Sequence, residues 1–398
     1  MIPMSVNKVN IILGEKEPTA QIMECYSQIA CDFLDELSKW IRHNKEAGVY
    51  QDVTTVGFWC RKSNIERMKR EFDDGDIHIG RGLLFHITPS NVPVNFAFSW
   101  FFGLLSGNSN IVRIPSKRFP QVEILCEGIK EILSQDKYKK IQEMTQFISY
   151  ERDKEINDYY SGICDGRIIW GGDSTIGQLR ESVMKPKAVE IVFADRYSFG
   201  VIQSEKVLEA GEDEIKFLAR SFYNDTYLMD QNACSTPHLL MWLGDKKDAA
   251  AERFWSAVAD EAAKYDMQDI KVMDKYTDLC ALAMKYDGSC LCRRYGNLLY
   301  VVELDKLMDN IEALRGRFGM FFECKIDNLS KISKVISSKS QSMMVYGLEK
   351  ETLETFVVNG CMQGIDRIVP FGKALDMGVI WDGYDIIGNL SRIVTVEC

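Results

Sequence analysis

The chain has 398 residues, and 48 Lys and Arg against 58 Asp and Glu leave a formal charge of −10. That balance excludes a nucleic-acid binder driven by bulk positive charge. The length gives room for two or three domains with cores of their own, and 46% hydrophobic with 27% charged residues describes an ordinary globular protein.

Twelve cysteines stand beside four histidines, so the thiols need a compartment. Met1 to Gly14 lacks the charged start, apolar core and small-residue cleavage site of a signal peptide. The longest apolar stretch, Val94 to Leu105, is broken by Asn95, Ser99 and Gly103 and falls well short of the ~20 residues of a membrane span. The expectation is a cytoplasmic protein with reduced thiols and no membrane span. Cys290 and Cys292 form a lone C-x-C with Cys280 ten residues before, and no C-x-x-C or H-E-x-x-H occurs. No metal site is expected from so incomplete a ligand set.

In chain order, Ile22, Ile29, Phe33, Leu37 and Ile41 share a face and predict a helix over Pro18 to Asn44. A second helix is read over Asp52 to Phe72, stopped by Asp73-Asp74-Gly75-Asp76. Short apolar runs then alternate with helices. Strands are read at Leu83 to Ile87, Asn110 to Ile114, Gln146 to Tyr150, Arg167 to Trp170 and Val189 to Phe193. Helices are read at Val94 to Leu105, Gln121 to Leu133, Lys154 to Ser161 and Thr175 to Met184. Such alternation predicts an α/β fold with a Rossmann-type, doubly wound parallel sheet.

A second α/β series follows. It has helices at Glu214 to Tyr227 and Ala249 to Lys264, and strands at Leu298 to Glu303, Met320 to Cys324, Met343 to Tyr346 and Ile365 to Val369. The division expected from this pattern is a cofactor domain over 1–200, a catalytic domain over 201–370, and a C-terminal segment over 371–398. That last segment would return to the first domain or serve an oligomer interface.

Two glycine-rich spots differ in context. Gly80-Arg81-Gly82 precedes a strand, whereas a phosphate loop must follow one, so it reads as a turn. Trp170-Gly171-Gly172-Asp173-Ser174-Thr175 follows a strand and opens a helix, where backbone N–H groups can face a pyrophosphate. On local pattern alone, a Gly-rich βα turn capped by Asp173 or Ser174 is the preferred reading. Arg113, Lys117 and Arg118 gather at another strand end, the local positive site an acidic protein needs to hold an anionic nucleotide. A solvated loop would look the same. The aromatic residues Phe96, Phe98, Trp100, Phe101 and Phe102 read as core packing ahead of an acyl channel, because a helix apolar all round is usually buried.

Among the thiols, Cys234 stands out. It lies in Asp230-Gln231-Asn232-Ala233-Cys234-Ser235-Thr236-Pro237, a polar loop context in which a thiolate can be reached. Cys25, Cys31 and Cys126 sit in regular hydrophobic patterns instead. His238 is near in sequence, but Pro237 intervenes and a structural histidine is the preferred reading.

Thr88-Pro89-Ser90-Asn91-Val92-Pro93, Gly107 to Arg113, Trp170-Gly171-Gly172 and Gln231-Asn232-Ala233-Cys234 occur in the order and spacing of the aldehyde dehydrogenase superfamily. With Arg367-Ile368-Val369-Pro370-Phe371-Gly372-Lys373 and Trp381-Asp382-Gly383-Tyr384, the chain resembles its LuxC-type acyl-CoA reductases from about Phe72 to the C-terminus. The resemblance implies Cys234 as nucleophile and Asn91 as oxyanion donor. It places cofactor contacts at Thr88, Pro89, Ser90, Arg113, Trp170, Gly171 and Gly172. It implies NADPH, which Arg113 would select through the 2′-phosphate, with NADH as the alternative. The implied reaction is reduction of a long-chain acyl-CoA or acyl-protein thioester to the aldehyde. An acyl-protein synthetase partner and a homo-oligomer go with the resemblance.

Asp173 departs from the usual serine of the phosphate turn. Val189-Glu190-Ile191-Val192-Phe193-Ala194 lacks the glycines of the water-activating segment of hydrolytic relatives, leaving open whether Glu190 is a base. Gly316-Arg317-Phe318-Gly319-Met320 lacks the glutamate common at that place. The competing readings are an aldehyde dehydrogenase running toward the acid, and a non-redox acyl-accepting subunit.

Overall fold

The computed structural model describes residues 8–14, 20–89, 92–285 and 291–397. The chain forms two compact units, Met1–Asp195 with Gly378–Cys398, and Arg196–Met377.

The first unit carries strands β1 (Asn10–Leu13), β2 (Ile77–Gly80), β3 (Leu83–Ile87), β4 (Ser109–Arg113), β5 (Thr145–Ser149), β6 (Gly166–Trp170) and β7 (Val189–Phe193). Six of them form one sheet in the order β1-β5-β4-β3-β6-β7, parallel except at β1. Every residue of β3 and β6 is buried, as expected for parallel strands covered on both faces. The helix Asn95–Leu105 is also buried throughout. Its Phe96 and Trp100 pack edge-on against Phe147, while Phe98, Phe101 and Phe102 surround Trp59. These rings are core.

Two helices differ from their predicted extents. The first begins at Gln28, because Met23, Cys25 and Tyr26 spend their backbone N–H groups elsewhere, on the carbonyls of Gly107, His78 and Leu105. The stretch read as one helix over Asp52 to Phe72 is two, Gln51–Trp59 and Lys62–Phe72. Arg61 is extended between them, and the Asn64 side-chain amide donates to the freed Trp59 carbonyl at 2.8 Å.

The second unit holds β8 (Tyr197–Gln203), β9 (Pro237–Leu243), β10 (Leu291–Tyr295), β11 (Leu299–Leu304), β12 (Met320–Lys325), β13 (Ser340–Tyr346) and β14 (Arg367–Pro370). They run in the order β10-β11-β12-β9-β8-β13-β14, with only β10 antiparallel to its neighbour. Along β9, Leu239 and Met241 enter one core while Leu240 and Trp242 enter the other, the two-residue alternation of a strand. Strands β8 and β9 and the helices Asp269–Lys285 and Lys350–Gly360 have no counterpart in the predicted elements. Pro237 disguises β9 in the sequence, yet a proline is tolerated as the first residue of a strand.

Phe371 and Ala374 lie in a core of the second unit. From Gly378 the chain belongs to the first unit, with a small hairpin of β15 (Ile380–Trp381) and β16 (Tyr384–Asp385) and then β17 (Ser391–Val394) antiparallel to β2. No described helix is long and apolar enough to cross a membrane.

Candidate active site

In the first unit the chain passes from β3 outward through β4 to β5, then returns to the other side of β3 to lay down β6 and β7. Strand order therefore reverses between β3 and β6. In open α/β sheets the crevice beyond the carboxyl ends of such strands is where ligands bind.

The carboxyl end of β3 leads to Thr88, whose hydroxyl donates to the Arg113 carbonyl at 2.7 Å and ties the ends of β3 and β4 together. Pro89 follows, half-buried, while Ser90 and Asn91 lie outside the described residues. After β6, Gly171 donates its N–H to the Phe193 carbonyl at 3.1 Å, and exposed Gly172 caps the helix Asp173–Arg180. Among the described residues, a Cβ at Gly172 would meet nothing within 4 Å, and one at Gly171 would meet Thr175 alone at 3.5 Å, so they leave space at this turn. Gly80-Arg81-Gly82 is a turn between β2 and β3, with the Arg81 and Gly82 N–H groups on Asn108 Oδ1 at 2.7 and 3.0 Å.

Arg113 ends β4 with its guanidinium 4.6 Å above the Tyr150 ring and Nη2 on the Tyr150 carbonyl at 3.2 Å. Its Nε is buried with no hydrogen-bond partner among the described residues. Lys117 and Arg118 lie exposed just beyond. Trp170 differs from the other residues of its turn. Its ring stacks on Phe193 at 3.7 Å and its Nε1 donates to Ser99 Oγ at 3.0 Å, so the side chain is part of the core.

Beneath the crevice a buried chain of hydrogen bonds fixes these strands. Ser99 bridges Trp170 to His86 Nδ1 at 2.8 Å, and His86 Nε2 meets Asn110 Oδ1 at 2.9 Å. Since the Asn110 oxygen can only accept, His86 is the neutral tautomer protonated at Nε2. Burial, only partly opposed by the Asn110 bond, pushes the His86 pKa down to about 4. The helix Asn95–Leu105 comes this close because of Gly103, where a Cβ would lie 1.9 Å from Asn110 Oδ1.

In the second unit, Cys234 lies half-buried in the turn entering β9, at the amino edge of the sheet. The turn is held from several sides. Asp230 and Gln231 both take left-handed backbone conformations. The Asp230 carboxylate accepts from the Tyr265 hydroxyl and from Lys271 Nζ at 3.0 Å. Gln231 reaches the 316–320 segment, accepting from the Gly319 N–H at 2.6 Å and donating to the Met320 carbonyl at 3.0 Å. The Cys234 carbonyl accepts from Ser198 Oγ at 2.8 Å, and Thr236 Oγ1 donates to the Asp225 carbonyl at 2.9 Å. Gln231 belongs to the motif around the thiol, but its pair of hydrogen bonds to the 316–320 segment had no sequence signal. Lys271 and Tyr265 lie outside every predicted element.

Several other thiols are disarmed by burial. It raises Cys126 to about 12, and Cys25, Cys31, Cys164 and Cys324 to about 11. His238 is buried in β9, stacked on Tyr197 at 5.7 Å. Burial, reinforced by Arg315, pushes it down to about 3, which suits packing and not proton transfer near neutrality. Glu190 is bound by Arg167 Nε at 2.9 Å and Arg180 Nε at 2.7 Å. Burial raises its pKa, but the bonds from Arg180 and Arg167 outweigh this and hold the carboxyl below the usual range. It is an ion-pair residue.

A switch-point crevice in one α/β unit and a braced thiol at a sheet edge in the other define the architecture of an aldehyde dehydrogenase-type oxidoreductase. The solved structures it is similar to carry that fold. The NAD-dependent benzaldehyde dehydrogenase of Corynebacterium glutamicum matches with TM-score 0.62 at 12% identity, over 93% of this chain and 84% of the other. Lactaldehyde dehydrogenase of Escherichia coli matches with TM-score 0.63 at 13% identity, over 92% and 86%. The indole-3-acetaldehyde dehydrogenase of P. syringae matches with TM-score 0.64 at 10% identity, over 92% and 83%. No curated protein shows significant sequence similarity to the chain. The sequence profile of the LuxC acyl-CoA reductases matches residues 23–396, and the chain belongs to that family. Its chemistry is the reduction of an acyl group to the aldehyde.

Proposed function

We propose that the protein reduces a long-chain acyl thioester with NADPH through an acyl group carried on Cys234. The observation that carries this reading is the bracing of the Cys234 turn by Asp230, Gln231, Ser198 and Thr236, which leaves the half-buried thiol in a fixed place. A held nucleophile needs little reorganisation to reach a near-attack geometry.

The Cys234 sulfur attacks the carbonyl carbon of the acyl thioester as thiolate, and the substrate C–S bond breaks to release the carrier thiolate. Asn91 and the Cys234 N–H are assigned to the oxyanion, a contribution of about 3 kcal/mol per donor. Thr88, Pro89, Ser90, Arg113, Gly171 and Gly172 are assigned to the dinucleotide. The glycine turn, open among the described residues, and the positive charge of Arg113 at the end of its strand are consistent with an anionic guest there. A nicotinamide held by these residues would supply the hydride. Once the acyl carbon is reduced, its bond to Cys234 breaks, the aldehyde leaves and the thiolate is restored. Glu190 is tied into ion pairs, which favours reduction over hydrolysis of the acyl-enzyme.

The carrier is CoA or a protein thiol, and an acyl-protein synthetase and a second copy of the chain are the partners that family membership suggests. A cytoplasmic location follows from such substrates. The test is NADPH oxidation on adding acyl-CoAs of graded chain length, with the aldehyde identified. Cys234→Ala should abolish turnover and the acid-stable labelling of the protein by radioactive acyl-CoA. Full turnover by Cys234→Ala would sink the assignment.

A further inference from the structure

Strand β14 opens at Arg367, whose Cα is in register with Ser342 on β13. The Ser342 N–H donates to Ser198 Oγ at 3.2 Å, and that hydroxyl donates to the Cys234 carbonyl at 2.8 Å. Three neighbouring strands therefore bring the start of β14 to the Cys234 turn along one sheet edge.

The Arg367 guanidinium is fixed there by backbone carbonyls. Its Nη1 donates to Ala374 at 3.0 Å, and its Nη2 to Lys373 at 2.8 Å and Asp376 at 2.9 Å. Carbonyl oxygens orient the group without cancelling its charge. We propose that Arg367 keeps a positive charge beside the Cys234 sulfur and so favours the thiolate needed for attack, an inference that rests on Cys234 being the nucleophile.

The ionisable groups near the guanidinium include Asp376, Asp225 and Cys234. Exposed Asp376 is paired with Lys373 at 2.7 Å. Asp225, from the helix Glu212–Thr226, is buried and accepts the N–H groups of Gly372 at 2.6 Å and Ala374 at 3.0 Å. Burial dominates over those bonds and raises its carboxyl to about 7, so its countercharge is incomplete at neutral pH. Burial lowers the affinity of Arg367 for its proton, yet an arginine stays charged throughout the working range, as a histidine would not. A positive neighbour is the ordinary means of making a cysteine reactive.

The test is the pH dependence of iodoacetamide labelling on the full chain, read by mass spectrometry on the Cys234 peptide alone. Arg367→Gln should raise the labelling midpoint by about one pH unit and slow labelling about tenfold below it. Arg367→Lys should keep the midpoint within a few tenths of a unit of wild type. An unmoved midpoint in Arg367→Gln, or an equal shift in Arg367→Lys, overturns the inference. If Arg367→Gln does not fold, Asp376→Asn serves. Removing that exposed carboxylate should lower the midpoint, and an unchanged or raised value overturns the inference. Labelling judges Arg367 independently of turnover, whereas activity in Cys234→Ala would defeat only the nucleophile assignment beneath it.

Discussion

Gln231 is bonded at both ends of its side-chain amide to one turn: it accepts from the Gly319 N–H at 2.6 Å and donates to the Met320 carbonyl at 3.0 Å. The turn needs such support. Phe318 and Gly319 are both left-handed, and Gly316 packs where a Cβ would lie 1.8 Å from the Met320 oxygen. Two loops distant in sequence, one carrying Cys234, are thereby made a single rigid feature.

Gln231→Leu removes both bonds and leaves a buried donor and acceptor unpaired, at a cost of about 1–3 kcal/mol for each group left unsatisfied. The second unit should unfold at lower urea concentration, and Cys234 labelling should become less selective. Unchanged denaturation and labelling curves would contradict this role.

Glu190→Gln separates ion pairing from catalysis. It weakens the bond to buried Arg167, worth about 2 kcal/mol when charged, and the bond to exposed Arg180, worth less than about 1 kcal/mol. Thermal stability should fall while kcat for acyl-CoA reduction stays within about twofold of wild type, which corresponds to less than about 0.5 kcal/mol. A hundredfold loss of kcat at a temperature where the variant is folded would restore Glu190 as a base.

Arg113→Leu tests the cofactor assignment. If this guanidinium meets the 2′-phosphate, KM for NADPH should rise at least tenfold, about 1.4 kcal/mol, while KM for NADH changes little. A parallel change for both cofactors would mean that Arg113 serves the strand ends and not the phosphate.

His86 and His238 give a pH prediction with a definite sign. Burial lowers them to about 4 and about 3 in the folded protein, below the ordinary value of about 6.5. The unfolded chain then binds more protons between those values. Stability is therefore full above about pH 6.5 and falls as the pH drops toward 4. Urea denaturation at pH 7, 6, 5 and 4 reads this directly. His86→Asn should show a shallower decline, and a slope equal to wild type would remove His86 from the account.

The αβ alternation of the first unit was legible because its strands are short, mostly apolar runs, such as Leu83–Ile87 around His86 and Gly166–Trp170 around Arg167, separated by helices. The second unit was only half legible. Strand β9 begins with Pro237 and His238, and β8 is interrupted by Ser198 and Gly200, so neither shows the expected run although both lie at the centre of the sheet. Gly200 is there for close packing, since a Cβ would meet Leu240 at 2.6 Å and Phe371 at 2.7 Å.

By itself the sequence determined the class of fold, the family motifs and Cys234 as the thiol to watch, because hydrophobic period and turn chemistry are local. It also pointed to Arg113 and the Gly171-Gly172 turn. Only the tertiary structure decided which polar side chains are spoken for. The ring stacks of Trp170 and His238 and the ion pairs of Glu190 become visible only there. Gln231, Asp225 and Arg367 acquire their roles only when strands far apart in sequence come into register, since a buried polar group is defined by its partners.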